Sequence, residues 1–250
     1  MLTRKQLSSV TITAIVTKML VTFPTTIFRL CANAAWIACI YATVIAVAVF
    51  GITRAVYHQK ENVISVAEKL GGKALNIITG VIVFAVLALN VVGMMRIFPE
   101  IIKLVLLQKT YIEIIGVVFV ATLFYSALCG IEGIARVVEI FIPLAGTVFF
   151  AFLIMLLPQL HIDYLLPVFG NGAKSILFDG LSALSIFTDL LMLNILIPYT
   201  DSLDNYKEGG TRAIIVGGIC ATLIFLAYGF SYAFPATTQF VIPIYQRPYT

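Results

Sequence analysis

The amino-acid sequence predicts an all-α membrane protein, and three observations carry that prediction. Of its 250 residues, 61% are hydrophobic and 11% charged; soluble domains run at roughly 45–50% and about 25%. The charges are also unevenly placed. Several stretches reach the length of about 20 apolar residues that a bilayer-crossing helix needs, and they do so without a charge. Within those stretches apolarity is near-uniform rather than alternating, which favours helix over the strands of a membrane barrel. A soluble enzyme, a disordered chain and a small disulfide-stapled secreted domain are excluded on the same grounds.

Taken in order, the stretches give a single transmembrane domain of seven spans. The first, over 6–28, consists of the runs Gln6–Thr17 and Met19–Phe28 on either side of Lys18. The second, over 32–54, lies in the charge-free run Leu30–Thr53. In the following Arg54–Lys73 segment, Val63, Ile64, Ala67 and Leu70 recur at helical spacing and predict a short interfacial helix. Gly71-Gly72 should stop it before the third span, over 74–98. The fourth occupies 112–131. Gly130–Glu139 reads as a tight turn in which Glu132, Arg136 and Glu139 fall at ion-pair spacing at the start of the fifth span, over 137–158. Pro158–Gly172, with its prolines and glycines, reads as a structured loop. The sixth span, over 178–199, combines Gly180–Thr188 and Leu190–Thr200 around Asp189. The seventh covers 213–235.

The net charge of +4 is scattered between apolar runs and does not indicate nucleic-acid binding. Placing the N-terminus in the cytoplasm puts most basic residues, among them Arg4, Lys5, Arg54, Lys69, Arg136 and Arg212, on the inner side, as the positive-inside bias requires. No removable signal peptide is expected, because no small-residue cleavage site follows the first residues. Cys31, Cys39, Cys129 and Cys220 have neither metal-ligand nor redox spacing and read as small apolar residues. No cofactor or metal is expected. A hydrolytic enzyme needs a base beside its nucleophile, and His58 and His161 fall on opposite sides of the membrane. The last span lacks the lysine a retinal protein would use.

The chemistry concentrates on two residues. A charge at mid-bilayer costs about 2.5–3.5 kcal/mol on insertion scales. Lys18 and Asp189 sit too deep in their spans to reach either surface, so both should face the bundle interior. Many transporters consist of two inverted repeats with a broken helix in each at the substrate site. With a five-helix repeat, spans one and six correspond. Each has a central charge and a later proline, Pro24 and Pro198. Lys18 and Asp189 should then face each other, either paired or receiving the carboxylate and amine of a zwitterionic amino acid. Ser185, Thr188 and Asn194 add polar groups nearby. Asn90, with Gly93 on its face, lines the site or bonds a neighbouring helix. Arg96 and Glu100 read as an interfacial pair.

The string Gly130-Ile131-Glu132-Gly133-Ile134-Ala135-Arg136 through Pro143 resembles the turn into helix five of the endospore germination permeases. These are the B subunits of germinant receptors, in the amino acid–polyamine–organocation transporter superfamily. Leu2–Leu7, Asp163–Val168 and Asp189–Pro198 resemble the family's opening, its outer loop and its helix six. The resemblance implies a leucine-transporter-like inverted-repeat bundle with helices one and six broken. It implies a spore inner-membrane protein that senses a small germinant such as an amino acid, with A and C subunits as partners. Carried over by position, the ligand-binding breaks fall on Thr17, Lys18, Met19, Leu20 and Thr22 and on Ser185, Thr188 and Asp189.

Two departures stand out. Where many members have a glycine-rich helix-one break, this chain has Thr17-Lys18-Met19, a less permissive backbone. The lysine amine there either replaces a cation or anchors Asp189, which itself stands in place of the usual glutamate. The chain also ends at a lead-in to helix eight, Pro243–Gln246, so seven of the usual ten helices are expected. An amino-acid or cation symporter, or an inactive truncated fragment, are the alternatives.

Overall fold

Inside a bilayer an open chain can satisfy its backbone hydrogen bonds only by forming helices. The computed structural model describes residues 1–21, 23–56 and 61–232, and these are helical apart from short connections. The helices are α1 (Arg4–Val21), α2 (Phe23–Cys31), α3 (Ala35–Val56), α4 (Val63–Val105), α5 (Ile112–Leu128), α6 (Gly130–Leu156), α7 (Ala173–Phe178), α8 (Leu190–Ile195) and α9 (Leu203–Ser231). A 3₁₀ stretch, Asp179–Asp189, joins α7 to α8.

Among the described residues five stretches are long and apolar enough to cross a membrane: Thr26–Arg54, Val63–Val105, Gly130–Leu156, Ala173–Ile195 and Leu203–Ser231. The chain is therefore an integral membrane protein. The other two expected spans are weaker. Arg4, Lys5 and Lys18 all fall within the 18 residues of α1, and α5 is apolar but has only 17.

The interfacial helix is present, and its regular winding stops at the expected place. Asn62 caps it, its side chain accepting from the Ser65 amide at 2.9 Å. At Gly71 and Gly72 the backbone leaves helical geometry, and φ of +68° and ψ of −167° at Gly72 select glycine. The pair ends the short helix as expected, and the chain turns there into the longer, membrane-spanning part of α4. The expected turn over Gly130–Glu139 is shorter than the sequence suggests. Only the Cys129–Gly130 junction departs from helix, and α6 already begins at Gly130. Glu132 pairs with the amino group of Met1 and not with Arg136 in a ladder. The loop over Pro158–Gly172 is structured as expected, with 3₁₀ turns at Leu157–Gln159 and Ile162–Leu165. It is tied down by Asn33 Nδ2 donating to the Leu166 carbonyl at 2.8 Å and by the His161 amide donating to the Phe230 carbonyl at 3.0 Å.

The core lies where α1, α3 and α9 pack together with the Asp179–Asp189 stretch. Phe28 meets Phe225 edge-on at 5.6 Å, and Phe50 meets Tyr206 at 5.4 Å. Gly218 allows α3 and α9 to approach, because a Cβ there would collide with the Thr43 side chain. By contrast α4, α5 and α6 expose Phe84, Phe124 and Phe141, which suits faces turned towards lipid. Of the cysteines, Cys31 and Cys39 are buried, whereas Cys129 is exposed at the α5–α6 junction.

Candidate functional site

The site begins with a pattern in helix six. Asp179, Ser182, Ser185 and Thr188 recur every three residues. A 3₁₀ helix has three residues per turn, so these side chains share one face. Each hydroxyl donates back to the carbonyl three residues earlier: Thr188 to Ser185 at 3.0 Å, Ser185 to Ser182 at 2.6 Å and Ser182 to Asp179 at 2.5 Å. The hydroxyls reinforce the tighter winding by competing for backbone acceptors. The 3₁₀ winding of the stretch accordingly runs well beyond the usual three or four residues before it is interrupted. It deviates at Phe187, with φ of −94° and ψ of 15°, immediately before Thr188 and Asp189.

Lys18 reaches this place from α1. Its Nζ donates to Asp189 Oδ1 at 2.8 Å and to Thr188 Oγ1 at 2.7 Å. Both charged residues are buried, Lys18 at 4% exposure and Asp189 at 7%. Among the described residues two of the three ammonium hydrogens are thus used. The second carboxylate oxygen, Asp189 Oδ2, is buried with no hydrogen-bond partner among the described residues. A buried charged acceptor left unsatisfied costs free energy. The pair therefore offers an incoming molecule a carboxylate oxygen that lacks a donor.

The other expected site residues divide into two groups. Thr17 is half-buried and Met19 fully buried on α1 beside Lys18, and Ser185 is half-buried one 3₁₀ turn before Thr188. Leu20 continues the same helix, and Thr22 lies outside the described residues. The expected unwinding over Thr17–Thr22 does not extend over Thr17–Val21, which is helical. Without glycine in Thr17-Lys18-Met19, the backbone there has no inducement to leave the helix. Helix six is wound tightly as 3₁₀ on either side of a kink at Phe187, which falls within the expected break over Ser185–Asp189. Asn90 does not join the group: on α4, its Nδ2 donates to the Val86 carbonyl of its own helix at 2.9 Å. Asn194 is also committed elsewhere. Its Nδ2 donates to the Leu190 carbonyl at 2.8 Å, and its Oδ1 accepts from the Tyr206 hydroxyl at 2.9 Å, which ties α8 to α9. Arg96 and Glu100 form only a loose, exposed contact at 3.8 Å. His58 lies outside the described residues.

Sequence reasoning overlooked Ser182, although the three-residue recurrence of hydroxyls was available to find it. It also overlooked a clasp at the start of the chain. The Leu2 amide donates to the Tyr199 carbonyl at 2.7 Å, and the Asp201 amide donates to the Leu2 carbonyl at 3.2 Å. Leu2 is fully buried, and Arg4 pairs with Glu208 of α9.

The family model described as spore germination protein matches residues 1–246. The chain belongs to the spore germination permease family. No curated protein and no solved structure is matched. In this germination permease the buried ion pair therefore joins the two segments that carry the strongest sequence signals, the middle of α1 and the end of the 3₁₀ stretch. Among the described residues no cluster of His, Cys, Asp or Glu could hold a metal ion.

Proposed function

We propose that this germination permease is the transporter-like subunit of a nutrient germinant receptor. It binds a small zwitterionic germinant, such as an amino acid, between Lys18 and Asp189. The observation that carries the reading is the buried pair with its remaining donor on Lys18 and its unsatisfied acceptor, Asp189 Oδ2. An ammonium group of the ligand donates to Oδ2, and its carboxylate accepts from Lys18 Nζ. The hydroxyls of Thr188 and Ser185 flank the site. The packing of α1 against the Asp179–Asp189 stretch supports reading these two segments as helices one and six of a leucine-transporter-like inverted repeat, with the ligand between them. In this account the protein lies in the spore inner membrane, its N-terminus is cytoplasmic, and receptor A and C subunits carry the signal onward.

The test uses the full chain in phosphatidylglycerol-containing nanodiscs and a panel of the twenty L-amino acids. At least one member should raise the melting temperature. Its amine-only and acid-only analogues should not, because each engages one half of the charge pair. If no amino acid stabilises the protein, or the one-charge analogues act equally well, the zwitterion reading is wrong. Uptake of the active amino acid into vesicles, driven by a proton or sodium gradient, would instead indicate a symporter.

A further inference from the structure

The seam between α3 and α9 has a feature that the ion-pair site does not use. At the end of the bundle that carries Arg4, Arg54 Nη1 of α3 donates to Thr211 Oγ1 of α9 at 3.3 Å. Beside this contact lies a cleft of about 450 Å³, lined by Arg54, Glu208, Thr211, Arg212, Ile215 and Val216. It adjoins a second cleft, of about 460 Å³, that reaches Lys207. Three cations line the two clefts, Arg54, Lys207 and Arg212, against two carboxylates, Asp204 and Glu208. Glu208 is already paired with Arg4, so the cleft is left with a surplus of positive charge.

Farther along the same seam the chemistry changes. An apolar groove of about 260 Å³ runs between Ile40 and Val44 of α3 and Ile219 and Leu223 of α9. Ile215 and Ile219 are four residues apart and share a helix face, so the wall of the basic cleft continues into the groove. From Arg212 to Ile219 the helix rises roughly 10 Å. Ile215, Ile219 and Val44 all expose their side chains outward. A soluble anion could use the basic end but has no use for the groove. A hydrocarbon chain could use the groove but has no use for the arginines.

We propose that the α3–α9 seam binds one anionic phospholipid. Its phosphate lies against Arg54 and Arg212, and an acyl chain runs along Val44 and Ile219. The positive-inside bias of the sequence puts this end at the cytoplasmic leaflet, where a headgroup would be level with the arginines.

The test is native mass spectrometry of the full chain in mild detergent, with phosphatidylglycerol and phosphatidylcholine supplied at equal concentration. The wild-type protein should retain phosphatidylglycerol preferentially. A cation beside an anionic lipid surface is worth roughly a fivefold change in binding. The double variant Arg54→Gln/Arg212→Gln should therefore lose roughly twenty-five-fold of the preference. Val44→Trp leaves every charge in place and fills the groove, and it should lower retention of phosphatidylglycerol. Equal retention of the two lipids by wild-type protein overturns the proposal without any variant. A preference that survives the double arginine change removes the headgroup site, and undiminished retention in Val44→Trp removes the acyl groove.

Discussion

Replacing Lys18 by Met removes the ammonium while nearly conserving side-chain length. Asp189, 7% exposed, is then left without the cation it holds at 2.8 Å. Thr188 loses a donor at 2.7 Å but keeps its own bond to the Ser185 carbonyl. Removing one partner of a buried pair costs about 3–5 kcal/mol. For a chain of this size each kcal/mol shifts the melting temperature by roughly 2–4 °C. The variant should therefore melt roughly 6–20 °C below wild type. Asp189→Leu strands the Lys18 ammonium instead and should cost a similar amount. The double variant leaves no uncompensated charge. Apolar replacement of a buried pair is often neutral, or stabilising by about 1–4 kcal/mol, so the double variant should be more stable than either single one. The assay is thermal melting followed by circular dichroism in detergent micelles. A shift below about 2 °C for Lys18→Met, under 1 kcal/mol at that conversion, would refute the reasoning. So would a double variant no more stable than the weaker single one.

Other perturbations separate structural contacts from incidental ones. Tyr206→Phe strands the buried Asn194 Oδ1, which accepts at 2.9 Å, and should cost about 1–3 kcal/mol, read as a lower melting temperature. Gly72→Ala meets no neighbouring atom, but its φ of +68° is adverse for any side chain. It should cost about 1–3 kcal/mol through the backbone alone, and spin-label distances across α4 should show the kink changed. Gly218→Ala drives a methyl group into Thr43 and should cost about 1–3 kcal/mol by overpacking, measured by the same melts. Glu132→Gln breaks the contact with the Met1 amino group, whose partners are 68% and 55% exposed. Exposed pairs contribute little, so the melting temperature should not change measurably.

The pairing of Lys18 with Asp189 is legible in the sequence because an isolated charge has few refuges in hydrocarbon. Two opposite charges at corresponding depths are each other's simplest solution. The kink at Gly71-Gly72 is legible for a comparable reason, since two successive glycines relax the backbone where a helix must change direction. The state of the two expected breaks is less accessible. Whether Thr17-Lys18-Met19 unwinds depends on what α9 and helix six pack against it, and a span-level reading does not contain that packing. The 3₁₀ winding of helix six is written in the three-residue recurrence of Ser182, Ser185 and Thr188, but a search for apolar runs passes over it. Asn90 and Asn194 illustrate another limit. An intramembrane amide needs a partner, and sequence cannot say whether that partner is a ligand, its own helix as for Asn90, or a neighbour such as Tyr206.

In the proposed function the charge pair recognises a ligand as well as holding α1 to helix six. The double variant Lys18→Met/Asp189→Leu separates the two roles, because it removes both charges and is expected to keep the bundle folded. The decisive measurement is equilibrium binding, to wild type and to this variant in nanodiscs, of whichever L-amino acid stabilises the wild-type protein. Saturable binding to wild type and none to the folded double variant is the expected result. Equal binding to both would mean that the Lys18–Asp189 pair is a structural tie and that the ligand, if the protein takes one, sits elsewhere.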